Sequence, residues 1–463
     1  MTGRRASRPL PHAALVAAIA FIAPARAQDA LSTTDRSVED RVRELEEAVR
    51  RLEEAKVPPV AENSPILAGW DNGFFLRSAD GLHQLRITGQ IQADYRGYLN
   101  DVDTTDLPTF LIRRARLGIE AAVWRYYDFR LLPDFGQGQS RIQDAYLNVH
   151  YWDEIQFESG KFKQPFSYEQ LIQDRFVPTL ERSLIDQLVP ARDVGLMVHG
   201  QKLLGDRLDY GLSVYGGVIN GDQDNDRNKE AAGRVAVRPL RELGVEWLEP
   251  VQLGIAGTIG SDEGNLSPNI LRTPSGVPWL VFAPGVRPDG RRARCSPEFV
   301  YVLGPVAVAV QYYWEDQELR ALATRSAPSA LVDVNYTGWY VLATLLLTGE
   351  RRTSLSQAID PLVPFDLTGG CYGPGAWELV GRVSQLQLDS DDMPGFARLI
   401  DPARSATRAT EFTFGFNWYL NRWVRVQFNW EYSRFSNPVR VGTTARDRLD
   451  HENAVMTRFQ VIF

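Results

Sequence analysis

The last twelve residues, Glu452 to Phe463, alternate without a break. Val455, Thr457, Phe459, Val461 and Phe463 fall on one side, and Met456, Arg458, Gln460 and Ile462 on the other. A strand keeps that period of two when its faces meet different surroundings, one of them apolar. The pattern serves a half-buried strand in an ordinary sheet and the closing strand of a barrel equally well. Which one applies depends on the rest of the chain.

The first residues form an address. Arg4, Arg5 and Arg8 make a positive start, Ala13 to Ile22 an apolar stretch, and Ala25-Arg26-Ala27 an A-x-A cleavage site before Gln28. The apolar run is too short to span a bilayer as a helix, and no later stretch is long and apolar enough. The chain is therefore expected to be exported through a cleavable signal peptide, residues 1–27, and to enter a membrane only as a closed barrel. A terminal aromatic sealing the last strand against the first is typical of bacterial outer-membrane barrels.

Loss of the leader leaves 47 basic against 58 acidic side chains, a net charge of −11. That balance disfavours nucleic acid, which calls for a basic surface. Cys295 and Cys371 are too few for a disulfide framework, and strand order predicts no bridge between them. His83, His150, His199 and His451 lack metal-ligand spacing, so no cofactor is expected. Asp222-Gln-Asp224-Asn-Asp226 resembles the start of a calcium loop, but Arg227 stands where the required glycine would be. A solvated turn is the better reading there.

After the leader, Val38, Val42, Leu45, Val49 and Leu52 recur at spacings of four and three among Arg and Glu, until Pro58-Pro59 stops them. Residues 28–59 thus read as a short periplasmic helix and linker. The helix is either a coiled coil between copies held together elsewhere or an amphipathic helix lying on its own barrel.

Residues 60–463 read as all-β. Alternating segments are expected at 84–98, 110–123, 126–135, 142–151, 154–163, 193–200, 207–216 and 232–238. The second half supplies 250–259, 292–303, 305–316, 333–349, 375–387, 409–420, 423–434 and 453–463. These make a sixteen-stranded antiparallel transmembrane β-barrel, within the porin size range. Short turns such as Trp124-Arg125, Trp152-Asp153, Gly304-Pro305 and Asn421-Arg422 alternate with long polar connections, as periplasmic turns alternate with external loops. Connections 239–249 and 350–374 break that rule and put a neighbouring strand assignment in question. Trp124, Tyr126, Tyr127, Tyr151, Trp152, Trp418, Tyr419 and Trp423 gather at turns, where an interfacial girdle would lie.

Several segments resemble the phosphate- and polyphosphate-selective porins of Gram-negative outer membranes. They are Arg113-Arg-Ala-Arg-Leu-Gly-Ile-Glu120, Asp144-Ala-Tyr146, Gly160-Lys-Phe-Lys-Gln-Pro-Phe166 and Arg192-Asp-Val-Gly195. Gly338-Trp-Tyr340, Leu347-Thr-Gly-Glu350, Gly375-Ala-Trp-Glu-Leu379 with Arg382, and Gly415-Phe-Asn-Trp-Tyr419 complete the set. Each is short; their order from about residue 70 to Phe463 carries the resemblance. It implies a homotrimeric barrel in outer-membrane lipid and lipopolysaccharide that passes small anions, phosphate or polyphosphate among them. It also implies that the long segment 164–192 folds into the barrel and sets the constriction.

Strand parity points Arg86, Arg96, Arg114, Arg116, Arg130, Arg234, Arg238, Arg294, Arg382, Arg425 and Arg458 into the lumen. Arg114 and Arg116 stand two apart, about 7 Å, on one face. A guanidinium fork grips an oxyanion and can pass it to the next. Arg86, Arg96, Arg114, Arg116, Arg382 and, at the base of 164–192, Lys161 and Lys163 are the candidate anion-binding residues. Asp94, Glu120, Asp128, Asp134, Asp144, Asp209, Glu298, Glu315, Glu378, Glu411 and Glu431 share the parity and nearly balance them. Glu378 with Arg382, and Arg425 with Glu431, are candidate structural pairs on single strands. A general diffusion porin with a mixed-charge lumen is therefore the alternative. An outer-membrane enzyme is disfavoured, because there is no Gly-x-Ser-x-Gly elbow and no histidine beside an obvious partner.

Overall fold

The computed structural model describes residues 66–99, 108–221, 223–321, 323, 328–368, 372–389, 398–442 and 447–463. The leader, the 28–59 helix, Asp222 of the acidic loop and Cys371 lie outside them. Sixteen long strands close into one antiparallel barrel, joined at one edge by a two-stranded hairpin of β1 (Leu67–Trp70) and β2 (Phe74–Arg77).

The first nine staves are β3 (Gln84–Tyr98), β4 (Thr109–Val123), β5 (Tyr127–Asp134), β6 (Arg141–Trp152), β7 (Ile155–Lys163), β8 (Arg192–Lys202), β9 (Leu208–Tyr215), β10 (Glu230–Val237) and β11 (Gln252–Asp262). A small loop hairpin, β12 (Ile270–Arg272) and β13 (Pro278–Val281), follows. The last seven staves are β14 (Arg287–Leu303), β15 (Val306–Ala321), β16 (Ala330–Leu346), β17 (Ala376–Asp389), β18 (Arg408–Tyr419), β19 (Val424–Arg440) and β20 (Arg448–Ile462). Every expected strand is present, including those flanking the two long connections. The departures there belong to the connections themselves.

Alternation could not say which face is wet; exposure does. Phe110, Phe157, Leu196, Ile259, Phe414 and Phe459 stand exposed on the outside, while Gln92, Asp94, Arg114, Glu378, Glu411 and Arg458 are buried inside. That is the inverse of a soluble sheet and the arrangement a lipid-bound barrel requires. Aromatic rings ring the turn end: Tyr126 stacks on Tyr151 at 4.7 Å and Trp377 on Trp418 at 5.3 Å.

The seam depends on the last residue. β20 pairs with β3 from Ala454↔Tyr98 to Ile462↔Gln90. Gly89 and Phe463 then exchange backbone bonds of 2.8 and 3.0 Å. Below that point β2 takes over the edge of β3, with Phe74 opposite Ile87. A Cβ on Gly89 would lie 2.2 Å from the Phe463 ring, so only glycine admits the ring here.

The loop end is filled. Segment 164–191 enters the lumen, and segment 263–286, with β12 and β13, packs beside it. Leu271, Val277, Trp279, Leu280 and Phe282 of the second segment join Leu184, Leu188, Val189, Leu399, Ala406 and wall residues such as Tyr313 and Val334 in one apolar core. The run Val277-Pro-Trp-Leu-Val-Phe282 is too apolar for a solvated external loop, which is the sign of this packing within the sequence. At the opposite end, connection 347–375 tucks Arg352, Leu355 and Ile359 inward.

Candidate site in the barrel lumen

Segment 164–191 leaves β7, crosses the lumen and returns to β8. Ser167 caps its first turn and also donates to Gln311 of β15 at 3.0 Å. Further along, its backbone lies against β17–β20, and wall side chains satisfy its peptide groups. Arg425 donates to the Arg175 carbonyl at 3.0 Å, and Asn417 and Gln427 to that of Pro178 at 2.9 and 3.0 Å. Arg382 donates to the Glu181 carbonyl at 2.8 Å, and the Leu180 N–H to Asn429 at 2.7 Å. A chain buried away from water needs such partners, because each unpaired peptide group costs as much as a lost hydrogen bond.

Two carboxylates of the segment draw the wall arginines together. Glu181 accepts from Arg113 at 2.6 and 3.0 Å, Arg96 at 2.7 Å and Arg458 at 3.1 Å. Asp174 meets Arg182 at 2.7 Å, Arg114 at 3.6 Å, Arg192 at 3.7 Å, and Arg116. Burial alone would raise both carboxyls; the surrounding guanidiniums instead hold both well below the usual range. Burial does win at Asp186, pushing its carboxyl up to about 7 against the pull of Arg182.

Arg96, Arg114, Arg116 and Arg382 all point inward. Arg96 also donates to the Ser275 carbonyl at 2.9 Å, Arg114 to Gln92 at 2.8 Å, and Arg116 to Asp134 at 2.7 Å. Arg382 pairs with Glu411 at 2.7 Å and Glu169 at 3.4 Å. Their charge is thus engaged in seating the segment. Lys163 does the same, donating to the Ile172 carbonyl at 2.8 Å. Lys161 lies apart, its Nζ 3.5 Å from the Asn220 carbonyl of the next loop. Arg86 sits 3.8 Å from exposed Asp71.

The expected same-strand pairs do not form. Residues four and six apart on a strand stand about 13 and about 20 Å apart, beyond side-chain reach. Glu378 pairs instead with Arg352 of the turn-end connection at 2.7 Å, and Arg425 with carbonyls.

Parity also missed Arg113. Gln92 pairs with Arg114 but Ala93 with Ile112, so Arg113 is the extra residue of a bulge. The bulge turns two consecutive arginines inward, where strict alternation allows one. Nothing in Arg-Arg-Ala-Arg marks its position. Asp174 and Glu181 were visible as acids in the segment, but only their partners across the lumen give them a role.

Beside the crossing segment lies a cavity of about 790 Å³, reaching the turn end, where connections 238–251 and 347–375 border it. Ten basic side chains line it against six carboxylates. Most are paired: Arg130 with Asp144 at 3.3 Å, Arg192 with Asp144 at 2.6 Å, Arg238 with Asp209 at 2.7 Å. Arg175 differs. Its Nε donates to Gln173 at 2.8 Å, and among the described residues no carboxylate lies within ion-pair distance. Lys163, whose Nζ donates to the Gln170 and Ile172 carbonyls, likewise has no carboxylate within ion-pair distance among the described residues.

Residues 85–274 and 278–463 match the family described as Phosphate-selective porin O and P. No curated protein matches the chain. Among solved structures, OmpT of Vibrio cholerae superposes with a TM-score of 0.50 at 12% identity, over 87% of this chain and 100% of that one. An anion-selective porin from Comamonas acidovorans gives 0.49 at 10% identity, over 82% and 100%. At such identities the likeness is one of fold.

Proposed function

The chain belongs to the phosphate-selective porin O and P family, and from that premise we propose that this outer-membrane porin passes small anions, phosphate among them. The observation that carries the anion preference is the cavity, where Arg175 and Lys163 have no carboxylate within ion-pair distance among the described residues. A family of passive channels supports a diffusion role with no catalysis. The resemblance supports a homotrimer in outer-membrane lipid and lipopolysaccharide. Residues 1–27 serve as the cleaved leader and 28–59 as a periplasmic helix, ahead of the barrel domain.

The ion does not travel along a ladder of bare arginines. Arg96, Arg113, Arg114, Arg116 and Arg458 are spent on Glu181, Asp174 and their neighbours, which leaves a moderate positive potential at the cavity. Conduction favours such moderate sites, since a deep well would hold the ion.

The test is the reversal potential of the purified protein in a planar bilayer under a potassium chloride gradient, with phosphate then added. Anion-side reversal, reduced in Arg175→Gln, is expected. Cation-side or zero reversal would make it a general diffusion porin. Phosphate that leaves the chloride current untouched would remove phosphate from the cargo.

A further inference from the structure

The outer wall of the barrel carries two cations that neither the lumen nor a turn absorbs. Arg408 of β18 and Arg434 of β19 are exposed, while Ala409, Ser433 and Phe435 beside them are buried, so both side chains face away from the lumen. Arg434 stands opposite Thr410, two residues from Arg408, which makes the two arginines diagonal neighbours about 7–8 Å apart. Across the other edge Arg434 faces His451, which itself holds Asp450 at 2.7 Å. Among the described residues no carboxylate lies within ion-pair distance of either arginine, whereas on the wall of β14 and β15 the outward Arg291 is paired with Asp316 at 2.8 Å. Height fixes what surrounds the two. Arg408 lies ten residues along β18 from Trp418 of the turn-end ring, and at about 3.4 Å per residue and a tilt of about 40° that is roughly 26 Å. The apolar band of such barrels is about 25 Å tall, so the arginines stand at its external edge. Below them the same face presents Phe412, Trp430 and Tyr432, with Trp430 and Tyr432 6.3 Å apart and Phe412 and Tyr432 6.5 Å apart.

We infer that Arg408 and Arg434 bind the phosphate of a phosphorylated glycolipid of the outer leaflet, the lipid A part of lipopolysaccharide. At the edge of the apolar band a guanidinium meets lipid headgroups, and an unpaired basic rim is complementary to a leaflet that carries phosphate. Two guanidinium forks at that spacing close on one phosphate from two sides, the bidentate geometry to which arginine is suited. The acyl chains of the same lipid lie along Phe412, Phe414 and Trp430, each exposed on that face. The site is on the lipid-facing wall, so it goes beyond the passage of ions and stands whatever the lumen selects.

Lipid A with and without its phosphates shares the acyl chains and differs in charge, so comparing the two isolates the arginines. Native mass spectrometry of the purified protein in a neutral detergent, titrated with each form, reads the occupancy. The phosphorylated form is expected to reach half-occupancy at a concentration about tenfold below that of the dephosphorylated form, the scale on which two basic groups act at a phosphorylated surface. An Arg408→Gln, Arg434→Gln double variant changes only exposed side chains. It should lose most of that gap while keeping the heat-modifiable gel mobility of a folded barrel. Inorganic phosphate, added as a competitor, should displace the lipid only in large excess. Equal binding of the two lipid forms, or an unaltered gap in the folded double variant, would overturn the inference. Displacement by inorganic phosphate at a concentration equal to that of the lipid would make this a free-anion site and overturn the lipid as its occupant.

Discussion

Replacing Glu181 by glutamine tests the seating of segment 164–191. The carboxylate holds three guanidiniums at 2.6–3.1 Å with a side chain only 12% exposed. Two of the three have a second acid: Arg458 meets Asp94 at 2.6 Å and Arg96 meets it at 3.4 Å. Among the described residues Arg113 pairs with Glu181 alone. Removing one member of a buried pair costs about 3–5 kcal/mol, and the surviving Asp94 contacts place this case near the lower end. The segment itself stays in the lumen, because Phe166, Leu180, Leu184 and Ile185 are at most 1% exposed and each contributes roughly 1.5–3 kcal/mol. The expected result is local loosening with a freed guanidinium. Single-channel conductance should rise, and the reversal potential should move further to the anion side. The glutamate is held well below the ordinary carboxylate range, so its contribution is present above about pH 4 and fades only as pH falls through the depressed value. Acidification to about pH 4.5 should therefore not mimic the variant. Unchanged conductance and selectivity in Glu181→Gln would refute the argument that this carboxylate seats the segment.

At the seam, Gly89→Val forces the Phe463 ring off its seat and should cost about 1–3 kcal/mol, read as a lower melting temperature of the barrel by gel mobility. The cost should vanish in a Phe463→Ala background, and simple additivity would refute the contact. Asp186, pushed up to about 7, binds its proton more tightly folded than unfolded, so it favours the seated segment below that pH and disfavours it as pH rises. Protease sensitivity within 164–191 should increase from about pH 4 to about pH 7 and level off above it, and Asp186→Asn should flatten that rise. Conversion of Arg352 to Met strands Glu378, which is fully buried, and should release connection 347–375 to periplasmic proteases without unfolding the barrel.

The barrel could be read from the chain because its physics is local. Period-two alternation, turn residues and aromatics at turns all act over a few positions, and together they place all sixteen strands. Inward facing followed for Arg96, Arg114, Arg116 and Arg382 by the same parity. What the residues do there depends on contacts between distant segments. Glu181 finds Arg458 277 positions away, and Asn429 finds Leu180 249 away. The Arg113 bulge inverts parity without any marker residue. Connection 347–375 looked like a misplaced strand because its length breaks a turn rule, while its inward half is held by Arg352, whose partner Glu378 lies on the following strand.

The most direct test of current passing through the basic cavity is chemical labelling at Met197, which lines it. Met197→Cys, in a background with Cys295 and Cys371 replaced by serine, is exposed in bilayers to thiol reagents carrying a sulfonate or a quaternary ammonium group. The account predicts that both reagents reduce the current and that the anionic one reacts faster. Faster reaction with the cationic reagent, or modification that leaves the current intact, would contradict it.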